Sequence, residues 1–159
     1  MCLLKNKILL ILLVILCVFG YGCKQNKFKD VITIDQIFMQ EDEEYYVYFF
    51  KENCPYCEDC FEEIKDYIES QEEKELIKLY VCDLTDEYNS IIKRPYEGEG
   101  GQGAEGRYFV DGVTKYEDLY ISGTPSIIRI DENDVSYFCV SGRKNVLQFI
   151  NEIKNTTNE

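Results

Sequence analysis

Apolar and polar positions along the chain fall into distinct patterns. Ile8 to Phe19 is an unbroken run of twelve apolar residues behind Lys5 and Lys7, the outline of a signal sequence and short for a membrane span. Tyr45 to Phe50 is continuous and aromatic, with β-branched Val47 inside it; a run without alternation predicts a strand covered on both faces. From Cys57 the period changes. Cys57, Cys60, Phe61, Ile64, Tyr67 and Ile68 recur at spacings of three and four, with Glu58, Asp59, Glu62, Glu63, Lys65 and Asp66 between them. That spacing predicts one amphipathic helix ending near Ser70. Leu76 to Cys82 then reads as a second strand, closed by Asp83, and strand, helix and strand in this order make a βαβ unit with parallel strands.

The remaining segments are shorter. Val31 to Ile34 is a β-prone run, and Asp35 can cap a brief helix through Ile37, Phe38 and Met39. Residues 86–122 read as an insertion. Within it Gly98 to Gly106 has the composition of a flexible loop, and without a Gly-Lys-Ser/Thr ending it is no phosphate cradle. Arg107 to Tyr116, turning at Asp111-Gly112, predicts a small hairpin, and Tyr116 to Tyr120 a short helix. Ser126 to Ile130 and Val135 to Val140, joined by Asp131-Glu132-Asn133-Asp134, predict an antiparallel hairpin. Val146, Leu147, Ile150 and Ile153 mark one face of a final helix from about Arg143 to Lys154, followed by a frayed tail, 155–159. The domain expected from these elements is 31–154, preceded by a polar tether, 24–30.

Composition narrows the chemistry. A formal net charge of −13 disfavours phosphate backbones, so nucleic acid is not an expected partner. The chain has no histidine, which removes a His general base, a Cys-His nucleophile pair and the common His-containing zinc sites. Eight cysteines then stand out: Cys2, Cys17, Cys23, Cys54, Cys57, Cys60, Cys82 and Cys139. So many thiols fit an oxidising compartment better than a reducing cytosol. The N-terminus points the same way. Phe19-Gly20-Tyr21-Gly22-Cys23 resembles a bacterial lipobox, which would end the signal peptide (1–23) at a lipidated Cys23, although Gly20 stands where Leu is usual. An uncleaved anchor or simple secretion would equally place the domain outside the cytoplasm. The expected localisation is extracytoplasmic, anchored to the bacterial cell membrane.

Cys54-Pro55-Tyr56-Cys57 stands where the aromatic strand gives way to the helical pattern. A thiol at a helix N-terminus meets unpaired N–H groups and the positive end of the helix dipole, both of which favour thiolate. A structural disulfide closing so short a loop would remove little unfolded-state entropy. Zinc held by Cys54, Cys57, Cys60 and Cys82 is disfavoured too, since a Cys-x-x-C-x-x-C run on one helix does not make a tetrahedral set. The expectation is a redox-active dithiol, with no metal and no cofactor.

The order of elements, with Cys54-Pro55-Tyr56-Cys57 after a strand, Lys78 to Asp83 as the next strand and Gly123-Thr124-Pro125-Ser126 before the hairpin, resembles the thioredoxin superfamily over roughly 30–154. The four-residue motif is the one typical of glutaredoxins. The resemblance implies an α/β, thioredoxin-like fold: a central mixed four- or five-stranded sheet with helices on both sides and an insertion before the proline. It implies a cis bond at Pro125 facing the dithiol, with Thr124 free to pair with an extended substrate. Two departures stand out: Tyr48 and Asn53 occupy positions where thioredoxins carry a buried Asp and a Trp.

The function expected is disulfide exchange with protein thiols or disulfides, in which Cys54 is the nucleophile and Cys57 resolves the mixed disulfide. Pro55, Tyr56, Thr124 and Pro125 would contact substrate, and a membrane redox partner is a further expectation. The alternatives are a binding module with a vestigial dithiol and an electron relay to one dedicated client. Cys60 is expected to be a small buried hydrophobe. Cys82 and Cys139, with two strands between them in the family's sheet order, are expected to be free and buried.

Overall fold

The computed structural model describes residues 28–29, 31–85, 110–121 and 123–156. Strands β1 (Val31–Ile32), β2 (Tyr45–Phe50), β3 (Lys78–Asp83), β4 (Ser126–Ile130) and β5 (Ser136–Ser141) form one sheet in the order β1-β3-β2-β4-β5. β2 runs parallel to β3 and antiparallel to β4; β1 adds parallel to β3 and β5 antiparallel to β4. This is a mixed five-stranded sheet of thioredoxin-like arrangement, the larger of the two strand numbers expected.

All six residues of central β2 are buried, as its unalternating pattern predicts. Its side chains separate two cores because successive residues point to opposite faces. Tyr46, Tyr48 and Phe50 pack with Ile64 and Tyr67 of helix α2 (Phe61–Ser70) and with Val146 and Ile150 of helix α3 (Arg143–Asn155). Tyr45, Val47 and Phe49 pack instead with Ile37, Leu119 and Ile121, around the short 3₁₀ turns Ile34–Gln36 and Tyr116–Asp118. Phe28, inside the stretch expected to be a tether, is buried and meets the rings of Tyr48, Phe50 and Phe61 at 5.0 to 6.2 Å.

Several local expectations are corrected. The single helix expected from Cys57 is two, a four-residue α1 (Pro55–Glu58) and then α2. The cause is a tightened turn, in which the Cys60 N–H bonds the Cys57 carbonyl at 3.2 Å and the α-helical ladder resumes only with Ile64 N–H on Cys60 O. β1 stops at Ile32, and Thr33 rather than Asp35 is the N-cap of the first 3₁₀ turn, its N–H donating to Gln36 Oε1 at 2.9 Å. Leu76 and Ile77 precede β3 rather than opening it.

The turn expected at Asp111-Gly112, the tip of the small hairpin, is present, closed by Val113 N–H on Val110 O at 3.2 Å, and the segment also makes a long-range pairing. Gly112 N–H donates to Ser136 O, Ser136 N–H to Val113 O, and Phe138 N–H to Asp111 Oδ1 at 2.6 Å. The Ser136 and Phe138 N–H groups and the Ser136 carbonyl belong to the edge strand β5, so the segment covers an exposed edge. Residues 107–109 of that expected hairpin lie outside the described residues.

Candidate functional site

The carboxyl end of β2 delivers the chain to the dithiol. Leu84 N–H bonds Phe50 O at 2.8 Å, Glu52 N–H bonds Thr85 Oγ1, and Thr85 N–H bonds Asp83 Oδ1, so the loop after β2 is tied to the end of β3. Asn53 turns the chain in the left-handed region at φ 58°, a conformation Asn tolerates. Cys54 follows in extended conformation as the N-cap of α1, with Pro55 at the first helical position, where a missing N–H costs nothing.

Cys54 and Cys57 form a disulfide, with α-carbons 5.2 Å apart. The pair is asymmetric: Cys54 is half-buried, whereas Cys57 is buried against the core beneath α1. The Cys57 N–H points at Cys54 Sγ from 3.2 Å. Because α1 is a single turn, that one directed N–H is the feature that would stabilise charge on Cys54, more than a long helix dipole.

Thr124-Pro125 supplies the opposite wall. The bond between them is cis, Thr124 Oγ1 lies 3.7 Å from Cys54 Sγ, and the Thr124 carbonyl lies equally close. Pro125 is buried, and its carbonyl accepts from Gly142 N–H at 2.8 Å, which fastens the turn to the start of α3. Gly142 sits at φ +82°, where a side chain would be strained. Tyr56 is 62% exposed on the outer surface of α1.

Of the residues expected in the site, Cys54, Cys57, Thr124 and Pro125 converge, and Pro55 and Tyr56 flank them on α1. Cys23 and the other N-terminal cysteines lie outside the described residues. Among the described residues no helix is long and apolar enough to cross a membrane.

The other thiols are separate from the pair. Cys60 is fully buried and points at the Arg143 carbonyl at 3.9 Å. Burial, with Glu63 and Asp59 adding to it, pushes its pKa up to about 11. Cys82 lies in the other core, on the far side of the sheet from Cys57 and Cys60, so these thiols do not converge on one point. Burial pushes it up to about 12. Cys82 on β3 and Cys139 on β5 are free and separated by β2 and β4. Cys139 is half-buried rather than buried, because it is the unpaired residue of a bulge in an edge strand, where Val140 pairs with Ile127 and Phe138 with Ile128.

Two features of the site were not visible in the sequence. Arg143, the first residue of α3, pairs with Asp59 at 2.6 Å, and its carbonyl lies 3.9 Å from the Cys60 thiol, so it sits beside the break between α1 and α2. The second is Tyr48, whose buried hydroxyl has no hydrogen-bond partner among the described residues. A Tyr in a wholly buried strand was the available sign, but whether its hydroxyl finds a carbonyl depends on neighbours far along the chain.

Fold and site together define an α/β protein of thioredoxin-like arrangement with a Cys-x-x-C disulfide at the start of a helix. A scan of protein-family models finds none that matches the chain, and a search of curated proteins likewise finds no match. The functional reading therefore rests on the geometry and on the sequence itself.

Proposed function

We propose that this protein is a membrane-anchored, extracytoplasmic thiol-disulfide oxidoreductase that exchanges disulfides with protein substrates through Cys54 and Cys57. The observation that carries the reading is the asymmetric pair itself: a half-buried Cys54 facing the Cys57 N–H and Thr124 Oγ1, with its partner sulfur buried behind it. In the reduced protein both donors favour thiolate on Cys54. That thiolate attacks a substrate disulfide, one substrate thiolate leaves, and Cys57 then attacks the mixed disulfide, re-forming the Cys54–Cys57 bond and releasing the second substrate thiol. Run backwards, the same steps oxidise a dithiol substrate.

Anchoring is read from the apolar N-terminal run and the lipobox-like ending at Cys23. Protein substrates are read from the exposed Tyr56 beside an open sulfur, an apolar contact suited to an extended chain. The test is Cys57→Ser in the native host. Mixed disulfides accumulating through Cys54 support turnover; their absence favours a thioredoxin-fold binding module whose dithiol is vestigial. A single trapped partner would instead identify an electron relay to one dedicated client.

A further inference from the structure

Cys57 stands three residues after Cys54 and three before Cys60, and the backbone closes both intervals in the same way. Cys57 N–H bonds Cys54 O at 3.0 Å, and Cys60 N–H bonds Cys57 O at 3.2 Å. A turn closed by such a bond keeps its outer α-carbons within about 7 Å, the span that a disulfide bridges. For the first interval the separation is 5.2 Å and the disulfide is formed. The second interval offers Cys57 another partner through the same kind of turn.

The two outer cysteines are placed alike. Cys54 is the N-cap of α1 and Cys60 the N-cap of α2, and both border one core with Cys57, Cys60 within it and Cys54 packed against it. The Cys60 side chain makes no capping bond. Its thiol reaches the Arg143 carbonyl at 3.9 Å, a weak contact that a rotation about χ1 gives up. The two differ in cover. Cys60 is fully buried, and burial, with Glu63 and Asp59 adding to it and Arg143 opposing it, keeps the group a thiol. A bond between Cys57 and Cys60 would lie under that cover and leave Cys54 outside it.

We propose that Cys60 is a third redox sulfur, which exchanges with the 54–57 disulfide and stores it as a buried 57–60 bond. The inference rests on the reading of Cys54 and Cys57 as a cycling dithiol and gives that pair an isomerising mode. Cys60 passes its proton to solvent and its thiolate attacks Cys57 Sγ. The Cys57–Cys60 bond forms, the Cys54–Cys57 bond breaks, and the electron pair leaves on Cys54. Cys54 leaves readily because the Cys57 N–H, 3.2 Å from its sulfur, stabilises the charge. No electrons are gained or lost overall, so the step needs no oxidant or reductant. The oxidised protein then carries a nucleophile. Cys54 attacks a mispaired substrate disulfide, and a thiol of the same substrate displaces it to leave a differently paired bond.

The test treats the full-length Cys54→Ser chain with oxidised glutathione, blocks remaining thiols by alkylation and digests with trypsin. The tryptic peptide from Glu52 to Lys65 then holds Cys57 and Cys60 as its only cysteines. Both thiols are expected to be lost to an internal disulfide, as Cys60 displaces glutathione from Cys57. Alkylation of both, or glutathione retained on either, overturns the proposal. A second measurement leaves the pair unsubstituted. Native oxidised wild type is held with N-ethylmaleimide, and the same peptide is expected to carry maleimide on Cys54 together with a 57–60 bond, a product that Cys60→Ala loses. A wild-type peptide that stays unlabelled with its 54–57 bond overturns the proposal equally. The underlying reading fails separately: a wild-type 54–57 pair that does not titrate with glutathione removes the cycling dithiol itself, whereas a titrating wild type whose Cys54→Ser form keeps both thiols removes only the role of Cys60.

Discussion

Cys54 on the one hand and Cys60 and Cys82 on the other carry the same side chain in opposite surroundings, the first in a disulfide at the surface and the others as buried thiols. The pair stands at the end of the sheet, where Cys54 Sγ meets a backbone N–H and a hydroxyl. Cys60 and Cys82 lie within the two cores, where burial raises their pKa values to about 11 and about 12. Distance along the chain does not explain the contrast, since Cys60 follows Cys57 by three residues. What separates them is cover: Cys54 caps α1 at the open end of the sheet, whereas Cys60, itself the N-cap of α2, and Cys82 on β3 are closed over by core side chains.

The largest effect should come from removing the outward sulfur. Cys54→Ser is expected to lower the rate of exchange with a disulfide-linked fluorescent peptide at least about a thousandfold, as loss of a nucleophile does, whereas Cys82→Ala should leave that rate within about twofold. A Cys54→Ser protein that kept its rate would erase the distinction between the two kinds of thiol.

Core thiols should show themselves in stability instead. Cys82→Ala is expected to lower unfolding free energy by about 1–2 kcal/mol, a small cavity in a packed interior, read from the urea midpoint. A neutral result would mean that this thiol contributes no packing.

Alkaline pH sharpens the contrast further. The folded pKa of Cys82 is raised from 9.0 to about 12, so its contribution is fully present below the unfolded value and is lost as pH rises through the folded one. In that window the unfolded chain releases the proton first. Wild-type stability should therefore fall between pH 9 and 10 by about 1 kcal/mol more than that of Cys82→Ala. Equal slopes for the two proteins would place the thiol in a wetter environment than the sheet interior.

The smallest effect is expected at the junction between the two environments. Arg143 and Asp59 are both about half exposed, so Arg143→Gln should move the urea midpoint only marginally, and less still in high salt. A loss several times larger, insensitive to salt, would show that the break between α1 and α2 depends on this pair.

Much of this fold is legible along the chain because its signals are local. The aromatic run at Tyr45 to Phe50 marks the buried central strand, and the apolar spacing of Val146 and Ile150 marks α3, since strand and helix periods act within a few residues. Cys54-Pro55-Tyr56-Cys57 likewise announces a dithiol at a helix start through Pro at the first helical position. Where the helical pattern misleads, between Cys57 and Phe61, the tightened turn of Cys60 N–H on Cys57 O lies behind the difference, and the apolar period does not record it.

By itself, then, the sequence determined the β2, α2 and α3 segments and the site of the cysteine pair. Only the tertiary structure decided that Thr124 stands 3.7 Å from Cys54, that the turn at Asp111 and Gly112 is laid against β5, and that the Tyr48 hydroxyl has no partner among the described residues. The physical reason is range. Backbone preference and hydrophobic period are settled between neighbours, but a hydrogen-bond partner seventy residues away exists only once the strand order of the sheet has brought it there.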